Sequence, residues 1–390
     1  MSTTKPRQRG SSITRVDLPS GPRWRFRLDL EPDPDTGRRR QRTLTFRTEG
    51  EAVEAQSKLR VDVAQRTYTE PSKVTLNEYL DGWLLAGQRT WRPSTLRSYT
   101  LALKPVRDAL GRRKVQQIGR ADIERLTASM LASGGRRKGQ HRSPRTVALA
   151  LTILSKALKD AVHDELIPRN PAEHVRKPRT EHREMSTWTP DEVRSFLAHV
   201  DADPLVGAWH LTMRGLRRGE VCGLRWSDID FTGKTLTIRQ ARVEVGSQVV
   251  TGAPKTARGR RTLPLDDELA RALRLTRERT VTDAQVVPLR QRGTDERLIV
   301  VDGCGEPLRP EVYGDLFARH AKAAGLPPIR LHDARHTALT LLLQQGVPVH
   351  VVARFAGHDP SVTLRTYAHV QADALKAAGD ALGALYAGRL

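Results

Sequence analysis

Cysteine is almost absent from this chain of 390 residues, which contains only Cys222 and Cys304. With no C-x-x-C pair, the sequence excludes a cysteine-based zinc cluster and argues against a disulfide scaffold. Aromatic residues make up 5% of the chain, so its cores are expected to be mostly aliphatic. The longest apolar runs are too short to span a bilayer, and the N-terminus lacks the apolar segment of a signal peptide. These absences predict a soluble cytoplasmic protein with no membrane partner.

Acidic residues are the next shortage, with 44 Asp and Glu against 66 Lys and Arg, a net charge of +22. Such an excess favours a polyanionic partner, nucleic acid first and an anionic membrane second. Free use of arginine by a GC-rich genome is the alternative. The excess is concentrated, because residues 71–180 hold 22 basic against 9 acidic residues. That concentration argues for a dedicated surface that binds the phosphate backbone.

Residues 1–70 are predicted to form a small α+β module. Two period-two segments, at 23–30 and 39–47, indicate strands with basic side chains on one face, and a helix is predicted from Glu49 to Arg66. A basic β-ribbon of this kind can enter a DNA groove, although a merely solvated sheet face is equally compatible with the pattern. The candidate DNA contacts here are Arg23, Arg25, Arg27, Arg39 and Arg40.

Residues 71–178 are predicted to be all-helical, with a basic loop at 134–143 between the last two helices. The candidate DNA contacts in this segment are Arg92, Arg97, Arg136, Arg137 and Lys138. A linker is predicted from Pro168, Pro171, Pro178 and the charged run at 176–184. Residues 185–390 then begin a mixed segment that is mainly helical, with Thr189 as an N-cap and a β-rich stretch from Thr235 to Leu265.

Three single residues have both an ordinary and a chemical interpretation. Arg217 begins a predicted helix, where it could bind phosphate and be held by Glu220, but a surface ion pair is the ordinary interpretation of that spacing. Lys255 lies at or near a turn between two predicted strands and matters only if a phosphate comes close. Tyr367 taken alone is more typical of a core residue whose hydroxyl has a partner.

The stretch H-D-A-R-H at 332–336 resembles the H-E-x-x-H zinc helix. Asp333 replaces the longer Glu of that motif, Arg335 would repel a divalent cation, and no third ligand has the required spacing. His332 and Arg335 instead lie three apart on one helix face, where both can donate to one anion. An anion site is therefore favoured over a metal site, and His336 is expected to pack beside the pair.

The ordered set of these residues resembles the tyrosine recombinases, the phage integrase family. The matching motifs are G-L-R-R-G-E, P-K-T-A-R-G-R-R-T-L-P-L, H-D-A-R-H, G-H and Y-A-H. The resemblance assigns catalytic roles to Arg217, Lys255, His332, Arg335, His358 and Tyr367, with Tyr367 as nucleophile and Glu220 in support. Two departures, Arg214 and Ala356, replace a usual Thr and a usual Leu without removing a reacting group.

The resemblance also implies an architecture and a reaction. Residues 1–70 would be an arm-type DNA-binding module, residues 71–178 a helical, SAM-like core-binding domain, and residues 185–390 an α+β catalytic domain. Tyr367 would form a 3′-phosphotyrosyl link that needs neither metal nor ATP. The implied partners are core-type and arm-type sites in double-stranded DNA, a homotetramer on that DNA, an excision factor and a host DNA-bending protein. A helical tail at 371–386 would dock on the next protomer.

Two other functions are compatible with parts of the same pattern. A type IB topoisomerase uses much the same residues, but the module at 1–70 counts against it. A non-catalytic DNA-binding regulator would not need the complete set of six residues. The resemblance therefore favours an integrase of a phage or integrative element, acting on the nucleoid of a bacterial host.

Overall fold

The computed structural model describes residues 12–30, 36–65, 68–133, 141–180, 185–254, 256–283 and 296–367, with short pieces at 379–380, 382–384 and 386–387. The chain divides into two compact units, an N-terminal unit of residues 1–180 and a C-terminal unit of residues 181–390. No helix in these ranges is long and apolar enough to cross a membrane.

The N-terminal unit begins with an antiparallel sheet covered on one face by a helix. Its elements are β1 (Thr14–Leu18), β2 (Gly21–Leu30), β3 (Arg40–Phe46) and α1 (Glu49–Ala64). Phe26 and Leu28 on β2 are buried against Ala52 of α1, because alternate residues of a strand point to the same face. Strand β1 was not predicted, since its sequence T-R-V-D-L has little apolar content and stays largely exposed.

The rest of the N-terminal unit is helical, as predicted. Its helices are α2 (Leu76–Gly87), α3 (Pro93–Leu110), α4 (Arg120–Ala132) and α5 (Pro144–His163). They enclose a second core of mostly aliphatic side chains. The predicted linker starts later than expected, because Ile167, Ala172 and Val175 are buried in this core.

The C-terminal unit combines helices with two small sheets. Its helices are α6 (Pro190–His199), α7 (Val206–Met213), α8 (Arg218–Gly223), α9 (Asp267–Asp283), α10 (Pro310–Ala323), α11 (Leu331–Gln344), α12 (Val349–Ala356) and α13 (Pro360–Tyr367). Its strands are β4 (Ile229–Asp230), β5 (Thr235–Ile238), β6 (Ala241–Val245), β7 (Gln248–Gly252) and β8 (Arg261–Pro264). The β-rich stretch predicted from Thr235 to Leu265 is therefore confirmed.

The strand pairing shows which elements flank Lys255 in the sequence. Strands β6 and β7 form a hairpin, whereas β8 pairs with β5 in the other sheet. Lys255 therefore belongs to the segment between β7 and β8, and its own placement lies outside the described residues.

Capping explains where several helices begin. In each case a threonine hydroxyl accepts from the backbone N–H three residues later, and the glutamate there accepts from the threonine N–H. These pairs are Thr48 with Glu51, Thr75 with Glu78, and Thr189 with Glu192. The predicted N-cap at Thr189 is confirmed.

An aromatic group lies at the centre of the C-terminal core. Trp209 stacks on Tyr313 with ring centroids 4.5 Å apart, and both are fully buried. Trp188 packs on Phe317, and its backbone N–H donates to the Thr337 hydroxyl on α11. Although most of the core is aliphatic, as predicted, these rings fix the helices that carry the candidate site.

Candidate active site

The loop before α8 and helices α11 and α12 converge on one cluster of charged side chains. Arg335 lies one turn into α11 and is only 1% exposed. Its guanidinium donates to the Gly215 carbonyl at 2.5 Å and to the Ala356 carbonyl at 2.5 Å. Arg335 is therefore more deeply buried than the sequence indicated, while His332 on the same helix is exposed.

His358 joins this cluster from the end of α12. Its Nε2 lies 3.0 Å from Nη2 of Arg335. Because a guanidinium can only donate, Nε2 must accept and the imidazole proton must sit on Nδ1. Nδ1 is buried and has no hydrogen-bond partner within the described part of the chain. The neutral tautomer thus keeps one donor available for a ligand.

Burial and the neighbouring charges keep the histidines neutral. Burial, followed by the positive charges of Arg335 and Arg217, lowers the pKa of His358 to about 4. Burial, followed by the neighbouring His332, lowers the pKa of His336 to about 4. Desolvation at the crowded start of α11 and the charge of Arg335 lower the pKa of His332 as well. At neutral pH all three imidazoles are therefore neutral.

Arg217 is the N-cap of α8 and is held on two sides. Its Nη1 donates to Oε1 of Glu220 at 2.6 Å, and its Nη2 donates to the Gly357 carbonyl at 3.2 Å. The predicted pairing of Arg217 with Glu220 is thus present in the structure. Glu220 itself is only 2% exposed. Burial opposes its ionisation, but the hydrogen bonds and charge of Arg261 and Arg217 outweigh this and lower its pKa.

Arg261 is a member of the cluster that sequence analysis missed. Its Nη1 and Nη2 donate to Oε1 and Oε2 of Glu220 at 3.1 and 3.0 Å. A signal was available, because period two puts Arg261 on the same face of β8 as the buried Leu263. A charged residue at such a position needs an acidic partner.

Two glycines let the backbone approach the arginines. Gly215 has φ +82° and Gly357 has φ +65°, in the region that glycine adopts without strain. Gly357 ends α12 and turns the chain toward His358. A Cβ at Gly357 would lie 2.9 Å from the Arg258 carbonyl and 3.0 Å from Nη1 of Arg261.

The remaining candidate catalytic residues are placed only in part. Tyr367 is the last residue of α13, the helix that follows His358, and its side chain lies outside the described residues. Lys255 also lies outside them. His332 and His336 pack edge to face with ring centroids 4.9 Å apart. In the described ranges, no group of three His, Cys, Asp or Glu side chains could hold a metal ion.

Three of the candidate DNA contacts of the sheet share one face. Arg25 and Arg27 pair with Thr45 and Thr43 on β3, on the face opposite α1, and Arg23 lies on that face too. Arg39 binds Asp29, and Arg40 binds Glu70.

The helical candidates are described only in part. Arg92 and Arg97 are exposed at the start of α3. Arg136, Arg137 and Lys138 lie outside the described residues.

Comparison with known proteins gives one family match. A model of the phage integrase family matches residues 187–373, a range that contains all six candidate catalytic residues. The ICEBs1 integrase of Bacillus subtilis is 25% identical over 340 residues, which cover 86% of this chain and 90% of that protein.

Solved structures show the same fold. The Tn1549 transposon integrase in complex with transposon right end DNA superimposes with a TM-score of 0.66 at 23% identity, covering 79% of this chain and 99% of that one. The lambda integrase tetramer bound to a Holliday junction gives a TM-score of 0.54 at 20% identity, covering 87% and 91%. The fold of this chain is therefore that of the integrases.

Proposed function

Because residues 187–373 form a phage integrase domain, which makes this chain a tyrosine recombinase, we propose that it integrates and excises a phage or integrative element by cutting and rejoining DNA. The observation that carries the proposal is the convergence of Arg217, Arg335 and His358 at the end of α12, one short helix before Tyr367. Such a group of donors suits a phosphodiester that gains negative charge as it reacts.

The covalent step uses Tyr367 as the nucleophile. Its phenolic oxygen forms a bond to phosphorus, and the bond from phosphorus to the 5′-oxygen breaks, leaving a 3′-phosphotyrosyl link. The phenolic proton passes to His332, which its lowered pKa keeps neutral and able to accept. Lys255 protonates the departing 5′-oxygen. Rejoining reverses these steps, because the phosphotyrosyl bond conserves the energy of the one it replaces.

Charge stabilisation is assigned to the donors around α12. Arg217 and Arg335 bind the non-bridging oxygens of the phosphate in exchange for the backbone carbonyls that they bind here. His358 adds its Nδ1–H, the donor that the Arg335 contact leaves available. Losing one such donor typically costs about 100- to 1000-fold in rate.

The other segments are assigned to DNA binding and assembly. We assign residues 1–70 to arm-type sites, residues 71–178 to core-type sites and residues 185–390 to catalysis. The lambda integrase tetramer on a Holliday junction supports a homotetramer as the working form. An excision factor and a host DNA-bending protein complete the proposed assembly, which acts on the bacterial nucleoid in the cytoplasm.

A nicked suicide substrate that carries the attachment site tests the reaction. Wild-type protein should form a covalent adduct that maps to Tyr367 and persists in EDTA. The Tyr367→Phe variant, which lacks only the reacting oxygen, should form none. An adduct in that variant, or no adduct with verified site DNA, would overturn the assignment.

The role of residues 1–70 has a separate test. Arg25→Gln with Arg27→Gln removes two positive charges from the open sheet face and should weaken binding to arm-type DNA. Arg60→Gln, on the exposed side of α1, is the matched control. Unchanged arm binding in the double variant, or an equal loss in the control, would contradict the assignment.

A further inference from the structure

The end of α12 gathers three arginines from different elements. Three successive carbonyls, at residues 355–357, accept from Arg261 Nε at 2.7 Å, Arg335 Nη2 at 2.5 Å and Arg217 Nη2 at 3.2 Å. The last carbonyls of a helix lack partners within it and carry the negative end of its dipole. This helix end therefore offsets the mutual repulsion of three cations.

Arg261 is linked to both sides of this arrangement. Its side chain is 6% exposed, and it binds both oxygens of Glu220, the carboxylate that also accepts from Arg217. Through Nε it also holds the Phe355 carbonyl, three residues before His358. One guanidinium thus connects the support of Arg217 with the backbone that carries His358.

We propose that Arg261 is a positioning residue for strand cleavage, which holds Glu220 and the end of α12 so that Arg217 and His358 meet the same phosphate. The inference rests on the proposed function. Arg261 itself has its donors on Glu220 and on the carbonyls of Gly259 and Phe355, so it acts through these groups.

The consequence of losing Arg261 follows from the contacts it makes. Glu220 would keep its buried negative charge with Arg217 as its remaining charged partner, so Arg217 would be held more tightly away from DNA. The Phe355 carbonyl, two residues before the turn at Gly357, would lose its donor. A displacement of about 1 Å in groups that bind a reacting phosphate can cost about 100-fold in rate.

The test compares Arg261→Gln with a matched control in the full-length chain. Arg225 also makes a two-bond contact with a buried carboxylate, that of Asp228, away from this cluster. Arg225→Gln should therefore lower the thermal unfolding midpoint much as Arg261→Gln does. Single-turnover cleavage of nicked site DNA and the half-saturating DNA concentration are then measured for both variants.

If Arg261 is a positioning residue, its loss should lower the cleavage rate and leave the half-saturating DNA concentration nearly unchanged. Arg261→Gln should lower the cleavage rate at saturating DNA by about 100-fold, with the half-saturating concentration changed by less than about threefold. Arg225→Gln should cleave at nearly the wild-type rate. Arg261→Lys, which keeps the charge but cannot make the two-bond contact, should fold and lose about tenfold in cleavage.

The outcomes separate this inference from the proposed function. If wild-type protein forms no adduct, the proposed function fails and this inference fails with it. If wild-type protein cleaves and Arg261→Gln or Arg261→Lys cleaves equally fast, this inference alone is overturned. It is also overturned if Arg225→Gln loses as much cleavage as Arg261→Gln, because the role of Arg261 would then be structural only.

Discussion

The arginines of the N-terminal unit differ in their surroundings from those around the candidate active site. Residues 1–180 carry 37 basic against 19 acidic residues, and arginines such as Arg97 are exposed to solvent. Residues 181–390 are nearly balanced, with 29 against 25, yet Arg335 and Arg261 are almost fully buried and bound to carbonyls and a carboxylate. From this contrast we expect attraction to DNA to depend on the number of charges in the N-terminal unit, and chemistry to depend on the placement of charges in the C-terminal unit.

The strongest test of this comparison is Arg335→Lys. Lysine keeps the positive charge but cannot reach the Gly215 and Ala356 carbonyls and His358 together. We expect single-turnover cleavage to fall by about 100- to 1000-fold, with DNA binding little changed. Arg354→Lys, at an exposed position on α12, is the control. Cleavage within tenfold of wild type in Arg335→Lys would mean that charge alone suffices there.

Gly357→Ala tests the backbone that holds the arginines. Its φ of +65° disfavours any side chain, and the new Cβ would press on Arg261. We expect a loss of about 1–3 kcal/mol in the free energy of unfolding, together with slower cleavage. Gly325→Ala has nearly the same φ, +68°, but open space around the Cβ. Equal effects of the two changes on cleavage would show that strain, not contact with the arginine, is responsible.

The half-buried histidines of the C-terminal unit predict a pH dependence of stability that exposed arginines would not produce. His336 and His358 have folded pKa values of about 4, below the value of about 6.5 expected for an unfolded chain. Between these two values the unfolded chain binds protons that the folded chain does not. The contribution of the two neutral histidines to the free energy of unfolding is therefore complete above about pH 6.5 and is lost as the pH falls toward 4. The thermal unfolding midpoint should fall across that window. A double variant with Gln at both positions should show a flatter profile between pH 6.5 and 4.5, and an unchanged slope would contradict the assignment.

The smallest expected effect belongs to the exposed arginines. Arg97→Gln should reduce the slope of log binding constant against log salt concentration by about one. Cleavage at saturating DNA should stay unchanged, because Arg97 lies on α3, outside the described cluster of reacting groups. A slower cleavage step in this variant would contradict the distinction between arginines that attract DNA by their number and arginines that act in cleavage by their placement.

Spacing along the chain accounts for what could be predicted of the site. Arg217 and Glu220 are three residues apart, so a helix start brings them together without knowledge of the fold. Arg261 is 41 residues from Glu220, and their contact depends on the fold that brings the start of β8 to the side chain on α8. The burial of Arg335 depends likewise on the Gly215 loop and α12, which are distant in sequence.

The secondary structure likewise divides into elements that local sequence predicts and elements that depend on the fold. The helix predicted from Glu49 to Arg66 is observed at Glu49–Ala64, and the helix predicted after the N-cap Thr189 begins at Pro190. Strand β1 escaped prediction because its place in the sheet comes from backbone pairing with β2 and not from an apolar pattern. The β-rich stretch was predicted, but the pairing of β5 with β8 across the β6–β7 hairpin depends on the fold and could not be read from the sequence.

The three carbonyls at the end of α12 bear on which anions this centre selects. A free phosphate ion would have to displace the Ala356 and Gly357 carbonyls from Arg335 and Arg217 with no other attachment to the protein. A phosphate within a DNA duplex is already anchored by many neighbouring contacts, which raise its effective concentration at the cluster. We therefore expect the helix end to disfavour binding of small free anions and to admit a DNA phosphate that is held elsewhere on the protein.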